Sequence, residues 1–387
     1  MVLWISLLTL LIWICLIFFR DGYWRANQRL DAWSPAPTEW PRIVAVIPAR
    51  NEAETIGAVL ESHLAAVYPG AFSVIIVDDN STDDTAARAR AAAEKAASNR
   101  VVDIIDGAPL PDGWTGKLWA QHQGVAAAKT AQADYLLLCD ADIVFSPDAL
   151  RRLVQKAVHE RLDLASLMAR LDARGFWGGL LIPAFVYFFQ KLYPFSVSNN
   201  PTRNTAAAAG GCMLVRAEAL EAVGGVSAMR NALIDDCTLA RRIKDARPGG
   251  RIWLGLAEDE ARSLRDNRSL GSVWNMVART AYAQLDYSPS MLFGAILGMI
   301  LTYLAAPAIA LTLFAHGHWT ASLIALIAWW LMAYSYWPTL RLYGGELWQA
   351  LLLPFAALLY TMMTVHSAVR HAQGKGGQWK GRSYSSG

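Results

Sequence analysis

The stretch Tyr135-Leu136-Leu137-Leu138-Cys139-Asp140-Ala141-Asp142 decides how the chain folds. Its unbroken apolar run has the character of a strand buried on both faces. It ends in two carboxylates one residue apart. In an open α/β sheet, ligands bind beyond the carboxyl ends of the strands. Two acids at such an end repel unless a cation sits beside them. A hard divalent ion, Mg2+ or Mn2+, that also holds phosphate oxygens relieves that repulsion. The stretch therefore reads as a strand end facing a metal–diphosphate site. The plainer alternative is a turn, where Asp is common for local reasons.

The neighbouring sequence repeats the pattern. Arg42-Ile43-Val44-Ala45-Val46-Ile47-Pro48 is another buried strand, followed by Ala49-Arg50-Asn51-Glu52. Ile56, Val59, Leu60 and Leu64 then fall at helical spacing. Val74 to Val77 is a strand that ends in Asp78 and Asp79, and Asn80 to Thr85 turns into an alanine-rich helix. Ser81 with Asp84 has the spacing of a helix-capping pair. Arg100 to Ile105 is a short strand and Leu118 to Thr130 a helix. Beyond Asp142, Pro147 to Glu160 is a helix and Leu164 to Leu171 a strand. Gly210-Gly211 leads into the strand Cys212 to Val215, the helix Ala217 to Val223 stops at Gly224-Gly225, and Ile252 to Leu256 is a further strand. Such alternation predicts an α/β fold with a doubly wound, mostly parallel sheet. No Gly-x-Gly-x-x-Gly follows the first strand, which argues against a dinucleotide oxidoreductase. Asp235-Asp236 forms a second acid pair and opens a helix; a simple cap is the alternative there, because the helix dipole favours acids at that end.

Composition adds a membrane. The chain has 387 residues, of which 54% are hydrophobic and only 17% charged. Val2 to Phe19 is apolar and is followed by Arg20, Arg25 and Arg29. A basic exit without a basic start predicts an uncleaved anchor with its N-terminus outside and the next domain in the cytoplasm. Phe176 to Phe195, broken by Pro183, Lys191 and Pro194, reads as a helix at the interface or over an acceptor groove, with core packing as the alternative. Leu270 to Leu285 reads as an amphipathic helix on the cytoplasmic membrane surface, with a solvated basic face as the alternative. Met291 to Phe314, Trp319 to Trp337 and Leu347 to Val365 are three further spans. Three spans put the tail outside, yet Arg370, Lys375, Lys380 and Arg382 belong inside. Either one segment is re-entrant or interfacial, or the tail breaks the rule. The net charge of +3 and the lack of a basic stripe with interleaved aromatics give no sign of nucleic acid. Four scattered cysteines suggest neither a zinc site nor a disulfide framework and suit a reducing compartment.

With these residues in order, the chain resembles the family-2 inverting glycosyltransferases, whose soluble fold is called GT-A. The matching pieces are Ile47-Pro48-Ala49-Arg50-Asn51-Glu52, Val77-Asp78-Asp79-Asn80-Ser81-Thr82-Asp83, Asp140-Ala141-Asp142, Gly210-Gly211 and Asp235-Asp236. Gly113-Trp114-Thr115-Gly116-Lys117-Leu118-Trp119-Ala120 and the anchor-plus-three-span layout are most similar to the hopanoid-biosynthesis-associated glycosyltransferases of bacteria. The implied plan is an anchor over residues 1–20, a linker over 21–41, a cytoplasmic GT-A domain over 42–266, an interfacial helix over 267–290, membrane helices over 291–366 and a disordered tail over 367–387, all at the bacterial inner membrane.

The resemblance also implies roles. Arg50 and Glu52 border the uridine, and Asp79 contacts the uracil. Asp140 sits near the ribose and diphosphate, and Asp142 holds Mg2+ or Mn2+. Gly210 and Gly211 let the backbone approach the sugar or acceptor. Asp236, with Asp235 second, is the general base. Lys117 neutralises diphosphate charge, unless it is a surface lysine, and Trp119 lines the pocket or the core. The processive synthases of the family carry Gln-x-x-Arg-Trp after the base. Here Arg268-Ser269-Leu270-Gly271-Ser272-Val273-Trp274 stands in that region, which favours transfer of a single sugar from a nucleotide sugar to a lipid hydroxyl. The rival is a membrane-anchored scaffold that binds nucleotide sugar without turnover. A transporter is disfavoured because the apolar spans hold few ionisable residues, His366 being the main one.

Overall fold

The computed structural model describes residues 1–30, 34–96, 98–246, 250–313 and 316–374, with the backbone of residues 378–379 and 382–383. Of the tail expected to be disordered, residues 375–377, 380–381 and 384–387 lie outside the described residues. The last helix continues to Ala372, past the expected boundary at residue 366.

Nine strands carry the domain: β1 (Ile43–Ala49), β2 (Phe72–Asp78), β3 (Val102–Asp106), β4 (Tyr135–Cys139), β5 (Ile143–Phe145), β6 (Leu164–Met168), β7 (Cys212–Arg216), β8 (Ile252–Leu256) and β9 (Ala261–Ser263). Seven of them form one sheet in the order β3-β2-β1-β4-β7-β6-β8. It is parallel except for β7, which runs against both β4 and β6. The alternating residues of β1 show why its sequence is apolar throughout. Ile43, Ala45 and Ile47 pack on the helices Ile56–Leu64 and Ala149–His159. Val44 and Val46 pack on the helices Gly116–Ala128 and Asp235–Ala246. Both faces are covered, so both sets of side chains are buried. Gly124 faces Val46 so closely that any side chain there would collide with it.

Two strand pairings position the site. Because β7 is antiparallel to β4, Cys212 lies opposite Cys139. Gly210-Gly211 therefore arrives beside Asp140. The short pair β5–β9 sets Ile143 opposite Ser263, which brings the chain after β9 against Asp142.

Several local expectations change. Asp84 makes no side-chain cap on the helix Thr85–Lys95. Asp83 does that work, accepting from the Thr85 backbone N–H at 3.1 Å, while Ser81 accepts from the Asn51 N–H at 3.0 Å and donates to Asp78. The helix from Leu270 stops at Ala278 and resumes as a 3-10 turn over Ala283–Leu285. Its continuation is interrupted where the Tyr282 N–H bonds Ser367 Oγ at 3.0 Å. The helix Gly175–Leu192 packs as a core strut: Leu181, Ile182, Ala184 and Tyr187 are buried with Trp13, Met332 and Tyr336. Tyr187 shares hydrogen bonds with Tyr23 and Ser335, and Gln190 donates to Thr339. Residues 21–30 also pack: Tyr23 is buried, and Arg29 bridges to Leu256.

Among the described residues, three helical stretches are long and apolar enough to cross a membrane, Pro289–Leu313, Trp319–Leu342 and Leu347–Ala372; Val2–Phe18 is a shorter apolar helix. It docks on them, with Trp13 Nε1 donating to the Thr302 carbonyl at 2.8 Å. Both ends of Leu347–Ala372 meet the domain side. Just before it, Leu342 and Tyr343 pack with Met168 and Leu256 of the sheet. At its far end Arg370 donates to Asn275 Oδ1 at 2.9 Å and His371 stacks on Tyr287. Both ends of this stretch therefore lie against the sheet domain or the segment that follows it. In a background lacking Cys15, Gly344→Cys and Gly374→Cys should react with a membrane-impermeant maleimide from the same side, and Gly317→Cys from the other. Labelling of positions 344 and 374 from opposite sides would contradict this arrangement.

Candidate active site

The carboxyl ends of the strands open onto one cleft. Glu52, Asp140, Asp142 and Asp235 line it with carboxylates, and Lys117, Arg265 and Arg279 with cations. Lys117 is at its centre. Thr115 caps the helix Gly116–Ala128, so Lys117 falls in its first turn. Its Nζ lies 2.9 Å from Asp140 Oδ1 and 3.2 Å from Asp235 Oδ2. Burial alone would lower this ammonium, but Asp140 and Asp235, with Asp236 behind them, outweigh it and raise it, so it stays charged.

Asp235 and Asp236 open the helix Asp235–Ala246. Asp236 Oδ2 accepts from the Gly210 N–H at 2.8 Å, and Oδ1 from the Cys237 N–H at 2.7 Å. A Cβ at position 210 would lie 3.3 Å from both Asp236 Oδ2 and Lys117 Nζ, so glycine keeps the backbone close to both groups. Burial, then the charge of Asp235, raises the Asp236 carboxyl to about 6 against the pull of Lys117 and the two N–H groups. Gly211 has Ile143 beside it and Asp140 beyond.

Asp142 is buried, and its Oδ2 accepts from Ser263 Oγ at 2.7 Å with Arg265 Nε at 3.5 Å. Oδ1 carries no hydrogen bond among the described residues. No group of three or more His, Cys, Asp or Glu forms a metal cage among those residues. Mg2+ and Mn2+ bound with a diphosphate need no such cage, because one or two carboxylates plus phosphate oxygens suffice. A buried carboxylate with one oxygen anchored and the other unbonded, next to Asp140, fits that arrangement with oxygen ligands suited to a hard ion.

Arg50 and Asp79 sit lower, outside the cleft lining. Asp79 is fully buried, and Arg50 Nη1 donates to the carbonyls of Asp79 and Asn80, with Asp79 Oδ2 at 4.0 Å. Asn51 locks the two loops by accepting from the Thr82 N–H at 2.8 Å. It holds φ 51°, a conformation Asn tolerates better than most residues. Glu52 reaches the cleft. Trp119 does not: its Nε1 donates to the Ala108 carbonyl at 3.0 Å and its ring stacks on His122.

Ser263, Arg265 and Arg279 join the site without warning from periodicity. β9 is three residues long, too short to stand out, and Arg279 follows a helix whose pattern pointed to the membrane. The Nε of Arg279 is buried without a hydrogen-bond partner. An acid-rich strand end that needs compensating cations was the one available signal.

Residues 44–224, just under half of the chain, match the family model described as Glycosyl transferase family 2. Over 116 residues the chain is 38% identical to the 4,4'-diaponeurosporenoate glycosyltransferase of Staphylococcus aureus, a match covering 30% of this chain and 28% of that protein. The chain thus matches under a third of the length of this curated relative. In three dimensions the chain is similar to the mannosyltransferase PcManGT from Pyrobaculum calidifontis, solved in complex with GDP-Man and Mn2+, at TM-score 0.50 and 19% identity, covering 97% of this chain and 99% of that one. The fold is GT-A, as the motifs implied.

Removing the central cation tests the electrostatics. In Lys117→Met, Asp140 and Asp235 lose their shared counter-charge, at a cost of about 1–3 kcal/mol for a partly exposed pair. Neutralising one of the two acids relieves that cost. Lys117→Met should therefore lose more thermal stability on its own than when it is combined with Asp235→Asn. A fully additive loss in the double variant would mean that lysine acts only by packing.

Proposed function

We propose that the protein moves one sugar from a nucleotide sugar, UDP-linked in the first instance, to a hydroxyl of a membrane lipid, inverting the anomeric carbon. The observation that carries this is the Lys117 bridge. One ammonium joins Asp140, on the donor side, to Asp235, next to Asp236. A leaving diphosphate and an attacking hydroxyl can thus be served within one cleft.

In this reading Asp236 is the general base. Backbone N–H groups fix both of its oxygens, whereas Asp235 is held by Lys117. A carboxyl raised to about 6 is ionised at neutral pH yet basic enough to accept a proton from an alcohol. It takes the acceptor proton as the oxygen attacks from the face opposite the nucleotide, and the glycosidic bond to the diphosphate breaks in the same step. Lys117, Arg265 and Arg279 face the negative charge that develops on the leaving group. When bound, Mg2+ or Mn2+ held by Asp142 near Asp140 supplies further neutralisation of the diphosphate. Arg50, Asp79 and Glu52 shape the nucleoside end, and Gly210 with Gly211 keeps room for the sugar.

The helix bundle supports a lipid acceptor, as do the relatives named for 4,4'-diaponeurosporenoate glycosylation. A hopanoid or another polyprenoid alcohol is the acceptor class we favour. Arg20, Arg25, Arg29 and Arg370 flank the apolar helices at the domain end, which supports a cytoplasmic domain in the bacterial inner membrane. A scaffold without turnover has no need for an acid pinned as Asp236 is.

Asp236→Asn should lower kcat about 100- to 10,000-fold while the UDP Kd changes little. The wild-type kcat/KM should fall about tenfold per pH unit below pH 6, because the base is lost as pH drops through its raised pKa. Equal loss of turnover and UDP affinity would remove Asp236 from this role. Asp142→Ala should separately abolish the Mn2+ dependence of donor binding measured by calorimetry; an unchanged Mn2+ dependence would exclude Asp142 as the ligand.

A further inference from the structure

The donor side of the cleft accounts for Lys117, Asp140, Asp142 and the two arginines, but not for what meets Asp236 from the membrane side. Cys237, the residue after the base, is buried against Phe189 and Tyr193. Tyr193 directly follows the strut helix Gly175–Leu192. Its hydroxyl accepts from Gln284 Nε2 at 2.8 Å, and Gln284 belongs to the turn Ala283–Leu285. Both carriers are fastened to the bundle, the strut through Gln190 to Thr339 and the turn through Tyr282 to Ser367. A phenol and an amide are thus held together in a largely aromatic wall beside the base. Burial raises the Tyr193 phenol, and so do Cys237 and Asp236, whose charge reaches it. Gln284 Oε1 carries no hydrogen bond among the described residues.

Resting on the glycosyl-transfer reading, we infer that Tyr193 and Gln284 form the acceptor seat, which orients an uncharged hydroxyl head group towards Asp236. The Gln284 carbonyl accepts from the head group, and the phenol offers a second polar contact. The charge that reaches Tyr193 is that of Asp236, and Lys117, the cation beside the base, is already paired with Asp140 and Asp235, so the seat itself offers a head group only neutral hydrogen-bonding groups.

The test uses full-length protein in nanodiscs with Mn2+ and radiolabelled donor. A total bacterial lipid extract, split into neutral and acidic fractions, supplies the acceptors. Label should enter the neutral fraction. In Tyr193→Phe and in Gln284→Leu, half-saturation by that fraction should rise about tenfold, the worth of one hydrogen bond, with kcat within threefold of wild type. The double variant should be little worse than either single one, because the two groups act as a unit. The UDP Kd should not move, which separates a lost seat from a misfolded protein; if Tyr193→Phe fails that control, Gln284→Leu decides. A drop in kcat at unchanged half-saturation would overturn the seat. Label in the acidic fraction alone would overturn the seat but leave sugar transfer standing. Label in neither fraction would overturn the transfer reading itself.

Discussion

The Lys117 ammonium between Asp140 and Asp235 is the contact on which the rest of the site depends. Without it, two acid pairs from distant parts of the sequence would face each other across a half-buried cleft with no shared counter-charge between them. With it, the two become walls of one pocket. Neighbouring features serve the same end. The antiparallel β7 delivers Gly210 beside Asp140, the lack of a side chain at position 210 lets the backbone bond Asp236, and the β5–β9 pair brings Ser263 and Arg265 to Asp142.

Much of this was legible in the sequence, for identifiable reasons. β1 and β4 announce themselves because burial on both faces demands continuous apolar runs. Asp140, Asp142, Asp235 and Asp236 are visible because they interrupt such runs where an open sheet binds its ligands. The limits are equally physical. Asp79 is fully buried beside Arg50, a placement that its position after a strand does not announce. Ser81 looks like a cap, yet it ties two loops across the cleft floor. Ser263, Arg265 and Arg279 reach the site only through tertiary pairing, which no local period encodes. Leu270 to Leu285 has helical spacing throughout, yet the helix stops at Ala278 and the Tyr282 N–H turns to Ser367.

That bond belongs to a wider design. The segment after the sheet is held from the membrane side by Trp274 to His366, Tyr282 to Ser367 and Asn275 to Arg370. The same segment supplies Arg279 to the cleft and Gln284 to Tyr193. The last apolar stretch therefore does more than anchor the chain, because its position sets two polar groups of the site.

The most direct test of the central claim follows a labelled sugar and its stereochemistry. Purified protein in nanodiscs would be given Mn2+, nucleotide sugars of known α configuration and a bacterial lipid extract, and the lipid product examined by NMR at the anomeric carbon. The account predicts a single sugar on a lipid hydroxyl in the β configuration. An α product, or sugar released only into water while UDP still binds, would contradict it.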